Sequence, residues 1–181
     1  MEVTGFNLFD TAIGPCGIAW GEHGLKGVQL PEADEARTRV RMRRRFPGAP
    51  EVPPPPDVCA AAARIAALLG GERDDLRDIG LDMSGVPSFE RRVYECVRAI
   101  APGETLTYGE VAARLGEPGA ARAVGQALGR NPFAPIVPCH RVLAADGRSG
   151  GFSARGGVAT KLRMLQIEGA RIGAGRGLFD V

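Results

Sequence analysis

Cys139 lies in the run Ile136-Val137-Pro138-Cys139-His140-Arg141-Val142, between a proline and a histidine. A thiol is a strong nucleophile only as the thiolate, and a neighbouring base or cation brings the thiolate within reach. Cys139 is therefore the candidate nucleophile and His140 the candidate base. Pro132, Pro135 and Pro138 hold the preceding chain extended and remove backbone donors, so this stretch is not helical. In an extended chain neighbouring side chains point to opposite faces, which predicts that His140 reaches the sulfur through a water rather than directly. Taken alone, a Cys-His pair is more often a buried structural cysteine beside a surface histidine. The surrounding motifs decide against that.

The elements that must position this segment lie on both sides of it. Thr107-Tyr108-Gly109-Glu110 has the spacing of a capping box, so a short helix is expected to begin after Thr107 and run to Leu115. Gly116-Glu117-Pro118-Gly119 makes a turn, and a second helix is expected from Ala120 to Arg130. That helix turns Ala120, Val124, Ala127 and Leu128 inward and sets Arg122, Gly125, Gln126 and Gly129 on another face. Two helices around a tight turn follow the helix-turn-helix plan, whose small residues would let backbone approach DNA while Arg122 reaches into it. An ordinary αα-hairpin fits the same residues equally well. Upstream, Phe89, Val93, Cys96, Val97 and Ile100 form one apolar stripe from Ser88 onward, which places Cys96 in the core.

The N-terminal part predicts strands over Gly5 to Asp10, Cys16 to Trp20 and Leu25 to Leu30, joined by glycine-containing hairpin turns. After them come a helix from about Glu32 to Phe46, a proline-rich loop over 47–56, an alanine-rich helix capped by Asp57 and ending at Gly70-Gly71, and a strand near Leu76 to Leu81. The basic run Arg37 to Arg45 reads as the solvated face of a helix and is left out of the site.

The 181 residues suffice for one sizeable domain or two small ones, and 44% hydrophobic content supplies a core. With 23 basic against 21 acidic side chains, the net charge of +2 does not by itself argue for nucleic acid. No apolar run spans a bilayer and the N-terminus lacks an export signal, so the cytoplasm is expected. Cys16, Cys59, Cys96 and Cys139 are scattered without zinc or disulfide spacing, which fits a reducing compartment.

The chain resembles the O6-alkylguanine-DNA alkyltransferases, whose hallmark is Pro-Cys-His-Arg-Val. The likeness runs from Pro87-Ser88-Phe89-Glu90-Arg91-Arg92-Val93-Tyr94 through Gly103 to Ala112, Ala121-Arg122-Ala123-Val124-Gly125 and Asn131-Pro132 to Leu165-Gln166-Ile167-Glu168-Gly169. These ordered motifs cover about the C-terminal half. The resemblance implies an α/β protein: a ribonuclease H-like α/β domain over residues 1–82 and a mainly helical domain over 83–181 carrying the helix-turn-helix; catalytic metal carboxylates for the ribonuclease H fold are not evident in the sequence. Its partner would be double-stranded DNA bearing an alkylated guanine, bound by a monomer, with cooperative assembly along DNA left open.

By the same resemblance the second helix enters the minor groove, presenting Ala121, Arg122, Gly125, Gln126 and Arg130. Arg122 fills the gap left by a rotated nucleotide, and Tyr108 crowds the neighbouring phosphate. Cys139 would attack the alkyl carbon on guanine O6. His140 would take the thiol proton through a water, Glu168 orient the imidazole, Asn131 brace the turn before the reactive strand, and Tyr108 donate a proton to the departing guanine. Val142, Phe152 and Ser153 would line the pocket, with the Cys139 and Val142 carbonyls accepting from the guanine amino group. A thioether does not leave, so each molecule would act once. No cofactor is implied. Some relatives hold an N-terminal zinc, but here Cys16 and His23 are the only candidate ligands and a structural site takes four, so no metal is expected.

The chain departs from the family at Ser149 to Gly157, where Ala154-Arg155 stands as an insertion before Gly156-Gly157 in the expected substrate lid. A phosphate-cradling loop does not fit this run, because the Gly-x-x-x-x-Gly-Lys spacing is missing. Three other functions compete. A damage sensor would not need Cys139, a thiol hydrolase would not need the helix pair, and a transcription regulator would leave Cys139, His140 and Glu168 idle.

Overall fold

The computed structural model describes residues 2–147 and 157–171. Strands β1 (Gly5–Thr11), β2 (Gly14–Gly21) and β3 (Gly24–Gln29) form an antiparallel meander in that order. Gly14 and Gly24 close the two hairpins at φ of 121° and 126°, a region that side chains with a Cβ avoid.

Two helices pack on this sheet. Helix α1 (Glu35–Arg45) is capped by Asp34, whose carboxylate accepts from Arg37 N at 2.8 Å, and it buries Thr38 and Met42. Met42 lies so close to Gly17 that a Cβ there would sit 2.5 Å from its sulfur. Helix α2 (Pro56–Leu69) buries Val58, Ile65, Leu68 and Leu69 in one cluster with Ile18, Trp20 and Val28 of the sheet. Each such aliphatic side chain contributes about 1.5–3 kcal/mol. Asp57 is not the cap of α2 as expected. Pro55 holds that place, Pro56 takes the first turn where a missing N–H goes unnoticed, and Asp57 comes next, complementing the helix dipole.

The strand expected near Leu76 to Leu81 does not form. The Asp74 and Asp75 carboxylates accept from Leu76 N at 2.9 Å and Arg77 N at 3.1 Å, and Leu76 adopts φ 54°. These local turns compete with a ladder, and only Leu81 bridges to the sheet, at Leu25.

The remainder is mainly helical: α3 (Ser88–Arg98), α4 (Tyr108–Arg114), α5 (Ala121–Gly129) and α6 (Val158–Ile167), with the short strands β4 (Leu106–Thr107) and β5 (Val142–Leu143). The capping box of α4 is complete: Thr107 Oγ1 accepts from Glu110 N at 3.1 Å and Glu110 Oε2 from Thr107 N at 2.7 Å. Val93, Val97, Val111, Val124 and Leu128 share a core with Phe133 and Val142. Tyr94, which the α3 stripe omits, is buried there; its hydroxyl donates to Ala127 O at 2.8 Å and so ties α3 to α5. Parallel pairing of Leu106 with Val142 and Thr107 with Leu143 stitches the start of α4 to the reactive segment. The sheet reaches the same segment, since Val28 N donates to Pro132 O at 2.9 Å. Among the described residues no helix is long and apolar enough to cross a membrane.

Candidate active site

Helix α5 ends at Gly129, and Asn131 organises the proline-bearing loop beyond it. The Asn131 Oδ1 accepts from Phe133 N at 2.9 Å and its Nδ2 donates to Val137 O at 2.8 Å, which brackets that loop. Cys139–Arg141 then form a single 3₁₀ turn in place of the expected strand. The prolines keep the preceding residues out of a helix, but the Pro138 carbonyl accepts from Arg141 N at 2.9 Å and closes the turn just after them. Successive side chains in such a turn diverge by about 120°, so Cys139 and His140 still point apart.

His140 is fully buried, and its Nε2 meets Glu168 Oε1 at 2.8 Å. The same carboxylate accepts from Arg141 Nη2 at 2.7 Å and Nε at 3.0 Å, while Arg141 Nη1 donates to Ile100 O at 2.7 Å. Burial pushes the Glu168 carboxyl up, but the His140 and Arg141 contacts outweigh it and hold the pKa at about 2. An ionised Glu168 can only accept, so His140 carries its proton on Nε2 and leaves Nδ1 as the basic nitrogen. That Nδ1 has no hydrogen-bond partner among the described residues.

Burial raises the pKa of the Cys139 thiol, opposed by a hydrogen bond from Asn131 and by the charge of Lys161. Burial likewise lowers that of His140, against the pull of Glu168. The resting pair is thus neutral thiol and neutral imidazole.

Lys161 was not anticipated. Fully buried on α6, it donates from Nζ to Val142 O at 2.6 Å and lies 5.8 Å from the Tyr108 ring centroid. Burial depresses its pKa to about 8, and the Cys139 charge opposes this. The signal was available: Lys161, Met164, Leu165 and Glu168 are spaced i, i+3, i+4, i+7, which puts the lysine and the carboxylate on the buried face of one helix. Arg141 is a second omission, hidden because its partner is 27 positions away.

Tyr108, half-buried at the start of α4, faces α5 so closely that a Cβ at Gly125 would sit 3.8 Å from its ring. Arg122, Gln126 and Arg130 are exposed, Ala121 and Gly125 partly so, and Arg130 pairs with Glu90. Val142 is buried, and the Val142 and Cys139 carbonyls already accept from Lys161 and from Val142 N. Each keeps a second lone pair for a substrate donor. Phe152, Ser153 and the Ala154-Arg155 departure lie outside the described residues. Cys16 is buried beside Thr11, with its pKa pushed to about 12 by burial, and His23 is exposed. The described residues contain no group of metal-binding side chains.

A buried thiol adjacent in sequence to an imidazole–carboxylate pair, on a segment stitched to a helix-turn-helix, has the parts of a nucleophilic transferase. Comparison with known proteins gives the particulars. The model of the 6-O-methylguanine DNA methyltransferase DNA-binding domain matches residues 88–170. A methylated-DNA–protein-cysteine methyltransferase of Mycobacterium bovis is 36% identical over 175 residues, covering 97% of this chain and 98% of its own. Another, from Methanothermobacter thermautotrophicus, is 36% identical over 86% of this chain and 80% of its own. The crystal structure of Mycobacterium tuberculosis OGT in complex with DNA superposes with a TM-score of 0.72 at 34% identity, covering 93% of this chain and 95% of that one. The chain belongs to the methylated-DNA–protein-cysteine methyltransferase family. Its activity is DNA repair by alkyl transfer from O6-alkylguanine.

Proposed function

We propose that Cys139 is the alkyl acceptor and that the chain uses it once, on double-stranded DNA. The observation that carries this is the His140–Glu168 contact at 2.8 Å, which leaves Nδ1 basic on the residue that follows the buried thiol. The alkylated guanine rotates out of the duplex, at a cost of a few kcal/mol for a weakened pair. Arg122 occupies the gap, with Ala121, Gly125, Gln126 and Arg130 against the strand. The thiol proton passes through a water to His140 Nδ1. The sulfur then forms its bond to the alkyl carbon as the carbon–O6 bond breaks, and the electron pair stays on guanine. Burial, with the Cys139 charge second, raises the Tyr108 hydroxyl pKa, so Tyr108 keeps its proton until guanine departs and accepts it. The Lys161 charge favours the thiolate, and Asn131 steadies it. The product is a thioether, a very poor leaving group.

On this reading residues 83–181 bind DNA and carry out transfer as a monomer, and residues 1–82 support them. Intact-protein and peptide mass spectrometry after mixing with duplex containing one O6-methylguanine tests it, with Cys139→Ser as control. One methyl on the Cys139 peptide, stoichiometric and absent in the control, is expected. Binding without mass gain overturns the assignment.

A further inference from the structure

Helix α1 carries six arginines, and the fold sorts them by side. On one flank Arg39 donates to both Glu51 oxygens at 2.9 and 3.0 Å and to Glu35 at 2.8 Å, and Arg43 reaches Glu51 at 3.5 Å. Thr38 and Met42 are the buried side. The opposite flank holds Arg37, Arg41 and Arg44, at the i, i+4, i+7 spacing of one helical face. There the nearest compensation is Glu32, 4.0 Å from Arg41, and no carboxylate among the described residues pairs with Arg37 or Arg44. The neighbouring Arg45 is turned inward, donating to three neutral acceptors: Val28 O at 2.7 Å, Gln29 Oε1 at 3.0 Å and Pro132 O at 3.1 Å. Its charge has no carboxylate partner either, and burial followed by the repulsion of Arg41 lowers its pKa to about 10.

This flank does not face away from the chemistry. Arg41 and Arg45 line a groove of about 300 Å³ together with Gly129 and Arg130 from the end of α5, Asn131, and Cys139 itself. Arg41 and Arg45 therefore bring this flank of α1 up to both Cys139 and the end of the helix assigned to DNA. A nucleotide that reached Cys139 through this groove would bring its own and its neighbour's phosphate to the rim. Exposed arginines answered by phosphates on one flank and by Glu35 and Glu51 on the other would leave α1 balanced on both sides in the complex.

We propose that the Arg37, Arg41 and Arg44 flank of α1 is a second DNA contact, gripping phosphates of the lesion-bearing strand beside the Cys139 groove. This rests on the reading of α5 as the helix laid against DNA. The N-terminal part then contributes affinity as well as support, and it does so independently of base sequence, because phosphates carry none.

The test is equilibrium binding of the full chain, in a Cys139→Ser background, to duplexes with and without one O6-methylguanine across a series of NaCl concentrations. The double variant Arg37→Gln/Arg41→Gln is compared with Arg39→Gln, which takes charge from the carboxylate-covered side, and with Arg122→Gln, which reports on α5. The expected result is a salt slope smaller by about 0.9 for each phosphate contact removed, with equal loss on damaged and undamaged duplex and little change for Arg39→Gln. With Cys139 restored, transfer from the free base O6-benzylguanine, which has no phosphates, stays at the wild-type rate. An unchanged slope in the double variant overturns the proposal whatever Arg122→Gln does. Unchanged binding in Arg122→Gln sinks instead the reading of α5. Loss confined to duplexes with an anionic adduct such as O6-carboxymethylguanine, with the slope intact, would assign the groove to the adduct and also overturn the proposal.

Discussion

Glu168 holds the His140 imidazole by Nε2 at 2.8 Å while gripping Arg141 through both of its oxygens. One carboxylate therefore sets the tautomer of the base and neutralises a guanidinium that is 1% exposed. Glu168→Gln presents an amide that can donate as well as accept, so the proton on His140 is no longer confined to Nε2. The transfer rate in a single-turnover quench experiment should fall by about 10²- to 10⁴-fold, the usual worth of a positioned base, with duplex affinity unchanged. A folded variant that transfers at the parental rate would remove Glu168 from the relay.

The same carboxylate makes the fold acid-sensitive. Its pKa is about 2 in the folded chain against 4.5 for an ordinary glutamate, so its contribution is complete above pH 4.5 and is lost as pH falls towards 2. That difference is worth about 3 kcal/mol. His140 acts in the same direction: its folded pKa lies below 6.5, so stability begins to decline as pH drops through 6.5. Urea midpoints from pH 7 to pH 3 should fall in both ranges, and Glu168→Gln should lose the steeper limb below pH 4.5. Parallel curves for the two proteins would contradict the coupling.

Lys161 is a buried cation whose pKa of about 8 lies below the ordinary 10.5. Between those values the folded chain binds fewer protons than the unfolded one, so stability should rise as pH increases from about 8 to 10.5, and Lys161→Met should abolish that rise. The substitution also removes the charge that favours the Cys139 thiolate. The pH profile of guanine release from O6-benzylguanine should shift to higher pH, and the rate at neutral pH should drop. Guanine release is the right readout because Cys59 is exposed and would consume a general thiol reagent. An unshifted profile would make Lys161 a tether between α6 and β5 and nothing more.

These groups differ in how far local sequence reveals them. The hairpin glycines, the Thr107–Glu110 box and the α5 face are short-range patterns, and they form where the spacing places them. Cys139 and His140 stand out because prolines isolate them. The 3₁₀ turn does not, since it is closed by bonds from Arg141 N to Pro138 O and from Val142 N to Cys139 O that no residue type announces. Asp57 loses the capping position because proline at the first helical position moves the cap back by two residues. The Leu76 to Leu81 strand fails because two aspartates take its amides. Arg45 and Arg141 bond to carbonyls and carboxylates up to 87 positions away, pairings that only the folded chain defines.

Alkylation should weaken the protein that has just acted. Cys139 is 7% exposed, and its sulfur is held by the Asn131 side chain and by the amides of the turn. A methyl group must enter this packed site, and overfilling a core costs about 1–3 kcal/mol. The thioether also has no S–H left to donate. Asn131 also brackets Phe133 and Val137, so the strain has a route into the loop that Val28 and Arg45 hold from the other side. For a chain of this length each kcal/mol lowers the melting temperature by about 2–4 °C. Differential scanning calorimetry of free protein and of protein alkylated by one equivalent of O6-methylguanine duplex, after removal of the DNA, should show the alkylated form melting several degrees lower. Cys139→Ala, which shrinks the side chain, separates overfilling from loss of the sulfur contacts: a milder drop than in the alkylated form is expected. Equal melting temperatures for free and alkylated protein would show that the pocket takes the methyl group without strain.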